Sequence, residues 1–146
     1  MGPADRETVR VLFLCTHNSA RSQMAEAFLR RYGGPGFEAF SAGLAPTSVH
    51  PFTRRVLEEV GIDTGDLRAK GVNAFLGKTS ITVAIVVCEP EDEGCPRVYP
   101  FAARTLYWPF KDPVDAAGSP EEQLAVFRRV RDEIANRIRR FLMEGA

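Results

Sequence analysis

The sequence predicts an α/β fold: a single-domain three-layer sandwich of the flavodoxin-like type around a four-stranded parallel sheet. Three observations carry that expectation. Short apolar, β-branched runs alternate with stretches at helical spacing. The best of the runs, I-T-V-A-I-V-V, is apolar nearly throughout, as for a strand buried on both faces. The C-terminal stretch has a complete helix-start signal and one apolar face. Alternation of this kind implies a parallel sheet with helices on both sides. At 146 residues the chain can bury one sizeable core, and no linker or repeat divides residues 1–146 into more than one domain.

The elements follow in order. Val9–Leu14 reads as a strand and Ser22–Tyr32 as a helix, with Met24, Ala27, Phe28 and Arg31 at helical spacing. Gly33, Gly34, Pro35 and Gly36 break the chain. Phe37–Ser41 is a short second strand, ended by Ala42 and Gly43. Pro46 and Pro51 mark the turn before a helix at Phe52–Val60, with Gly61 as its C-cap. Residues 62–78 carry few signals, and a short helix is expected at Val72–Leu76. Ile81–Val87 is the third strand and Thr105–Trp108 the fourth. Ser119, Pro120 and Glu122 give the last helix an N-cap, a first-turn proline and a capping-box glutamate. Leu124, Phe127, Val130, Ile134, Ile138 and Phe141 keep one of its faces apolar.

Composition excludes several classes of function. The residues are 45% hydrophobic and 26% charged, with a formal net charge of zero. Nothing in that balance favours nucleic acid or an anionic membrane. No apolar stretch reaches the length of a membrane span, and the N-terminus has no signal-peptide core. A cytoplasmic protein is expected. In a reducing compartment, three cysteines suit catalytic, redox or metal chemistry rather than a disulfide framework. His17, His50, Cys88 and Cys95 lack the close ligand pairs of a metal site, so none is expected. The two histidines read as ordinary surface or loop residues without a convincing partner.

Chemistry concentrates between the first strand and the first helix. Cys15 and Arg21 bracket the loop C-T-H-N-S-A-R, which covers Thr16, His17, Asn18, Ser19 and Ala20 and opens the helix at Ser22. The letters alone are weak, because the chain is rich in arginine. The flanks make them informative. A strand-to-helix junction turns orphan backbone N–H groups and a positive dipole end toward the loop. Such a nest holds phosphate-like anions, and Arg21 adds a planar fork for two of their oxygens. The same field favours a thiolate over a thiol, and Ser22 lies within reach of the sulfur. Asn18 suits a left-handed position in mid-loop. Ser41, at the end of the second strand, is a candidate to brace it.

In open parallel sheets, ligands bind beyond the carboxyl ends of the strands. Cys88 follows the third strand there, and Asp112 lies beyond the fourth. If the first and third strands are neighbours, Cys15 and Cys88 can approach, although a disulfide needs Cα atoms within about 7 Å. Cys88 also reads as a core cysteine, and Cys95 as an idle thiol in a polar, mobile loop. Glu89, Glu91, Asp92 and Glu93 disfavour a thiolate between them, which suits resolving thiols better than a primary nucleophile. Asp112 reads either as a general acid or as the turn-making residue before Pro113.

C-T-H-N-S-A-R-S-Q-M-A-E, then S-A-G at Ser41–Gly43, then Asp112-Pro113, resembles the low-molecular-weight tyrosine phosphatase superfamily over nearly the whole chain. Within it, R-S-Q-M-A-E and the spacing of Cys88 and Cys95 are similar to the thioredoxin-coupled arsenate reductases. The resemblance implies Cys15 as nucleophile, Arg21 as oxyanion clamp, Asp112 as general acid and Cys88 with Cys95 as the redox pair. It implies no bound cofactor, an arsenate- or phosphate-like substrate, and thioredoxin or an equivalent dithiol as electron donor. A monomer is expected. The alternative it implies is a phosphatase working through a phosphocysteine, as main role or side activity. Val114 and Asp115 stand where the phosphatase branch places aromatic residues after its Asp-Pro. Ala20 and His17 replace a cysteine and a glycine found in some reductases. Asn18, Glu26 and Ser41 match part of a potassium site, without a clear acidic partner near residue 70.

Overall fold

The structure, a computed structural model, describes residues 8–144 except 76, 97, 98 and 100. The N-terminal residues read above for a signal peptide, and Leu76 at the end of the expected short helix, lie outside the described residues. The elements are β1 (Val9–Cys15), α1 (Arg21–Gly33), β2 (Phe37–Gly43), α2 (Pro51–Glu59), β3 (Ile81–Val86), β4 (Ala102–Tyr107) and α3 (Pro120–Met143). Short 3-10 turns occupy Gly34–Gly36, Val72–Ala74 and Pro113–Asp115. The sheet has the order β2-β1-β3-β4, and every pair is parallel.

β1 and β3 are therefore neighbours, with Leu14 opposite Val86. Val87 continues the ladder by donating its N–H to the Leu14 carbonyl at 2.9 Å. This register brings the chain after Cys15 and the chain before Cys88 to the same edge of the sheet. Both central strands are buried, Val11–Leu14 and Val83–Val86. Side chains alternate between the faces. Phe37 meets Phe141 of α3 and Ser41 meets Glu26 of α1, so those helices cover one face. Phe40 meets Phe75 on the other, next to the Val72–Ala74 turn.

The apolar face read for α3 is the buried one: Leu124, Phe127, Val130, Ile134, Ile138 and Phe141 all lie in the core. Each such side chain contributes roughly 1.5–3 kcal/mol relative to exposure. The capping box forms, with Ser119 Oγ accepting from the Glu122 N–H at 3.2 Å and Glu122 Oε1 accepting from the Ser119 N–H at 2.9 Å. α2 ends in a Schellman turn. Ile62 and Gly61 donate to the Leu57 and Glu58 carbonyls, with Gly61 at φ +83°.

β4 differs from its expected span, Thr105–Trp108. It begins at Ala102, because pairing with Ile81–Val86 holds Ala102, Ala103 and Arg104 extended despite their poor strand preference. Trp108 leaves the strand and packs on Phe13 and Phe141.

Candidate active site

The Cys15–Arg21 loop is held from behind through its carbonyl groups. The Thr16 carbonyl accepts from the Ala45 N–H at 2.8 Å, and the His17 carbonyl from the Thr47 N–H at 3.2 Å. The Ser19 carbonyl accepts from the His50 N–H at 3.1 Å and from Thr53 Oγ1 at 3.0 Å. The Asn18 carbonyl accepts from Gln23 Nε2 at 3.0 Å. With these oxygens engaged outward, the loop's amides are left for an anion at its centre. Asn18 is the one non-glycine residue at positive φ, 53°, among the described residues, as its mid-loop place suggested. Gly43 is required beside it: a Cβ there would lie 2.6 Å from the Thr16 oxygen and 2.8 Å from the Asn18 nitrogen. No side chain caps the start of α1, which leaves its first-turn donors without a side-chain partner.

Cys15 is buried, and its Sγ lies 2.8 Å from Ser22 Oγ. Asn18 Nδ2 donates to the same hydroxyl at 2.8 Å. That bond fills the Ser22 acceptor side and points its proton toward the sulfur, the direction a thiolate needs. Asn18 Oδ1 in turn accepts from the Lys70 N–H and from Gln23 Nε2. Gln23 also donates to the Arg68 carbonyl at 2.8 Å, so residues 68–70 brace the loop from across the chain. Ser41 does not reach the loop. It donates to Glu26 on α1, and Lys70 Nζ lies 3.3 Å from Ser41 Oγ and 3.5 Å from Glu26 Oε1. The loop is braced instead by Gln23, which donates to Asn18.

Arg21 is only 4% exposed and faces two carboxylates. Its Nη1 pairs with Asp92 Oδ2 at 2.6 Å and donates to the Phe110 carbonyl at 3.0 Å, while Nη2 lies 3.3 Å from Asp112 Oδ2. Asp112 makes the turn expected of it and also faces Arg21. Its Oδ1 accepts from the Val114 N–H at 3.0 Å, making the turn before Pro113, and its other oxygen faces the site. Asp92 is a partner of Arg21 that the sequence did not reveal. Burial pushes its carboxyl up, and the bonds from Arg21 and the Glu89 amide outweigh that and hold it below the usual value. Thr16, the exposed His17, Glu93 and Asp115 complete the mouth.

Cys88 and Cys95 form a disulfide, with Cα atoms 5.9 Å apart, and Cys15 is unpaired. The disulfide does not open into the anion loop. It lies in an apolar groove lined by Val86, Pro90, Pro96, Tyr107 and Pro109. The turn between the cysteines is thus two-sided, with Pro90 toward the groove and Asp92 and Glu93 toward Arg21.

His50 departs from the expectation of no partner. Its Nδ1 accepts from the Phe52 N–H at 3.0 Å, capping α2, and its ring packs on Phe52 and Phe127. Its place before Pro51, the first residue of the helix, was the available signal. Burial lowers its pKa from 6.5 against the opposing charge of Asp112.

The sequence and fold are similar to those of known proteins. The chain is 38% identical to an arsenate reductase of Halalkalibacterium halodurans over 92% of its own length and 96% of the relative's. The structure of an arsenate reductase in a phosphate-binding state superposes with a TM-score of 0.78 at 29% identity, covering 94% of this chain and 98% of that one. A thioredoxin-dependent arsenate reductase of Corynebacterium glutamicum gives 0.67 at 26% identity, covering 97% of this chain and 65% of that one. Residues 10–145 match the family described as low molecular weight phosphotyrosine protein phosphatase, and with that span of the sequence, the nest at Cys15 and the parallel sheet behind it, the chain belongs to this family.

Proposed function

We propose that the chain is an arsenate reductase that runs a three-cysteine relay and draws its electrons from thioredoxin. The observation that supports this best is the pairing of a buried cysteine in an anion nest with a Cys88–Cys95 disulfide on the adjoining strand end. A hydrolase needs the first and has no use for the second.

In this reading arsenate docks on the loop amides of Thr16–Ser22 and on Arg21. The Cys15 thiolate forms a bond to arsenic, and an oxygen departs as water with a proton from Asp112. Cys88 then attacks the Cys15 sulfur. A sulfur–sulfur bond forms, the sulfur–arsenic bond breaks, and its electron pair stays on arsenic, which leaves as arsenite. Cys95 attacks Cys88 and releases the Cys15 thiolate. Arsenic gains two electrons, and the Cys88 and Cys95 thiols become a disulfide. A dithiol donor returns both electrons by exchange. The apolar groove beside the disulfide suits a protein donor such as thioredoxin, since its lining is proline, valine and tyrosine rather than charge.

The potassium ion suggested by the resemblance does not fit these residues. The Lys70 ammonium already lies on Glu26 and Ser41, and the Asn18 side chain is engaged by Ser22, Gln23 and Lys70. The same Cys15, Arg21 and Asp112 suit phosphate ester hydrolysis through a phosphocysteine, and side activity on aryl phosphates follows.

A thioredoxin- and NADPH-coupled arsenate assay beside an aryl-phosphatase assay tests the proposal. Wild type should reduce arsenate repeatedly. Cys88→Ser should lose that and keep most of the hydrolysis. Repeated arsenate reduction by Cys88→Ser at the wild-type rate would defeat the relay.

A further inference from the structure

We infer that Asp92 is an internal competitor of the oxyanion: closing the Cys88–Cys95 disulfide seats its carboxylate on Arg21 and keeps the anion loop shut until the disulfide is reduced. The inference rests on the oxyanion reading of the Cys15–Arg21 loop given above.

Four observations place the carboxylate there. First, the pair is short and sheltered, at 2.6 Å, with side chains 4% and 23% exposed for Arg21 and Asp92. Phe110 and Asp112 take the rest of the guanidinium's reach, so a tetrahedral anion finds no two-point grip. Second, the turn that aims Asp92 is the one the disulfide closes. Asp92 N–H donates to the Glu89 carbonyl at 2.9 Å, Glu89 N–H to Asp92 Oδ2 at 3.0 Å, and Cys95 N–H to the Asp92 carbonyl at 3.2 Å. Third, the turn lies directly on the loop. Thr16 Oγ1 donates to the Glu93 carbonyl at 3.1 Å, and a Cβ on Gly94 would come within 3.1 Å of Thr16 Cγ2. Fourth, Glu93 and Asp115 join Asp92 around the mouth and set like charge against an incoming anion.

A surface ion pair would explain none of this placement, because Asp92 pairs with the one arginine that the anion also needs. The timing follows from the chemistry. The disulfide forms as the Cys88 and Cys95 thiols give two electrons to arsenic and release two protons. Asp92 therefore arrives as arsenite departs. The oxidised chain, which has no electrons to give, then no longer collects arsenate or the commoner phosphate. When the dithiol donor opens the disulfide, the turn loses its covalent tie and Arg21 is released.

Titration calorimetry with inorganic phosphate, which the thiols cannot reduce, tests this on four samples. These are wild type and Asp92→Asn, each reduced and each oxidised, with the disulfide verified by peptide mapping. Reduced wild type should bind, oxidised wild type about tenfold or more weaker, and oxidised Asp92→Asn close to reduced wild type. In aryl-phosphate hydrolysis, oxidation should raise KM for wild type with kcat held, and Asp92→Asn should cancel the rise. Should Asp92→Asn fold poorly, Asp92→Ser serves, with oxidised phosphate affinity again expected close to that of reduced wild type. Equal phosphate binding by the two redox states of wild type would overturn this inference alone. So would an oxidised deficit that persists in Asp92→Asn. Failure of reduced wild type to bind phosphate would overturn the oxyanion reading itself.

Discussion

Two short segments leave neighbouring parallel strands at the same edge of the sheet, and they are held in opposite ways. The segment after β1, Cys15–Ser22, is buried apart from His17 and Ser19 and is tied through its carbonyls and the Asn18 side chain to residues 23, 45, 47, 50, 53 and 70. The segment after β3, Cys88–Cys95, has Pro90, Glu91, Glu93 and Gly94 exposed and is held by one disulfide, its own turn bonds and contacts to Arg21 and Thr16. The first must offer fixed donors to an anion, and preorganisation of donors is where such sites gain most. The second must change covalent partners. A segment locked by many backbone bonds could not, while one held by an exchangeable bond can. The difference in tethering is the difference in task.

The largest test of that comparison removes one sulfur from each segment. Cys15→Ser should reduce both arsenate reduction and aryl-phosphate hydrolysis to background, while Cys95→Ser should abolish only repeated arsenate turnover. After a single turnover of Cys95→Ser, peptide mapping should find Cys15 joined to Cys88. Loss of hydrolysis in Cys95→Ser would break the division of labour between the segments.

Asp112→Asn is next. Removing the proposed proton source should slow both reactions by about 10²–10⁴-fold, with phosphate affinity by calorimetry nearly kept. Unchanged turnover would leave Asp112 with the Val114 turn alone.

Gly43→Ala probes the rigid segment from behind. With the new Cβ 2.6 Å from a backbone oxygen, the loop must shift. A destabilisation of about 1–3 kcal/mol is expected in denaturant unfolding, with phosphate affinity lost alongside. An equivalent small-to-larger change at Gly36, where nothing lies within 4 Å, should do neither.

The smallest effect concerns His50. His50→Ala removes the α2 cap and should cost about 1 kcal/mol. The folded pKa lies below 6.5, so the unfolded chain takes up the proton first as pH falls. The stability His50 contributes is therefore present above pH 6.5 and is lost as pH falls through the lower folded value. Wild type should show that decline in unfolding free energy, and His50→Ala should lack it. Identical pH profiles would assign the histidine to packing on Phe127 alone.

The rigid segment was largely legible in the sequence, and the exchanging one only in part. Cys15 and Arg21 announce themselves because strand, loop and helix signals are local and adjacent. The core face of α3 was legible for the same reason, as were the capping box and Gly61. What escaped were contacts between distant parts of the chain. Arg21 meets Asp92 across 71 residues, and Asn18 meets the Lys70 amide across 52. Neither leaves a periodic trace. The acidic run at 89–93 showed its charge but not its direction, and only the two-sided turn tells Asp92 from Glu91. β4 was read short because its first half depends on pairing with β3 rather than on its own residues.

The Arg21–Asp92 pair has a thermodynamic corollary. If anion and Asp92 exclude one another on Arg21, coupling must run both ways. Whatever disulfide closure takes from phosphate affinity, phosphate takes from the stability of the closed disulfide. For a two-electron couple, each tenfold of discrimination between the redox states corresponds to about 30 mV. The reduction potential of Cys88–Cys95 should then rise with phosphate concentration, so that the chain reads the anion content of its surroundings as a voltage.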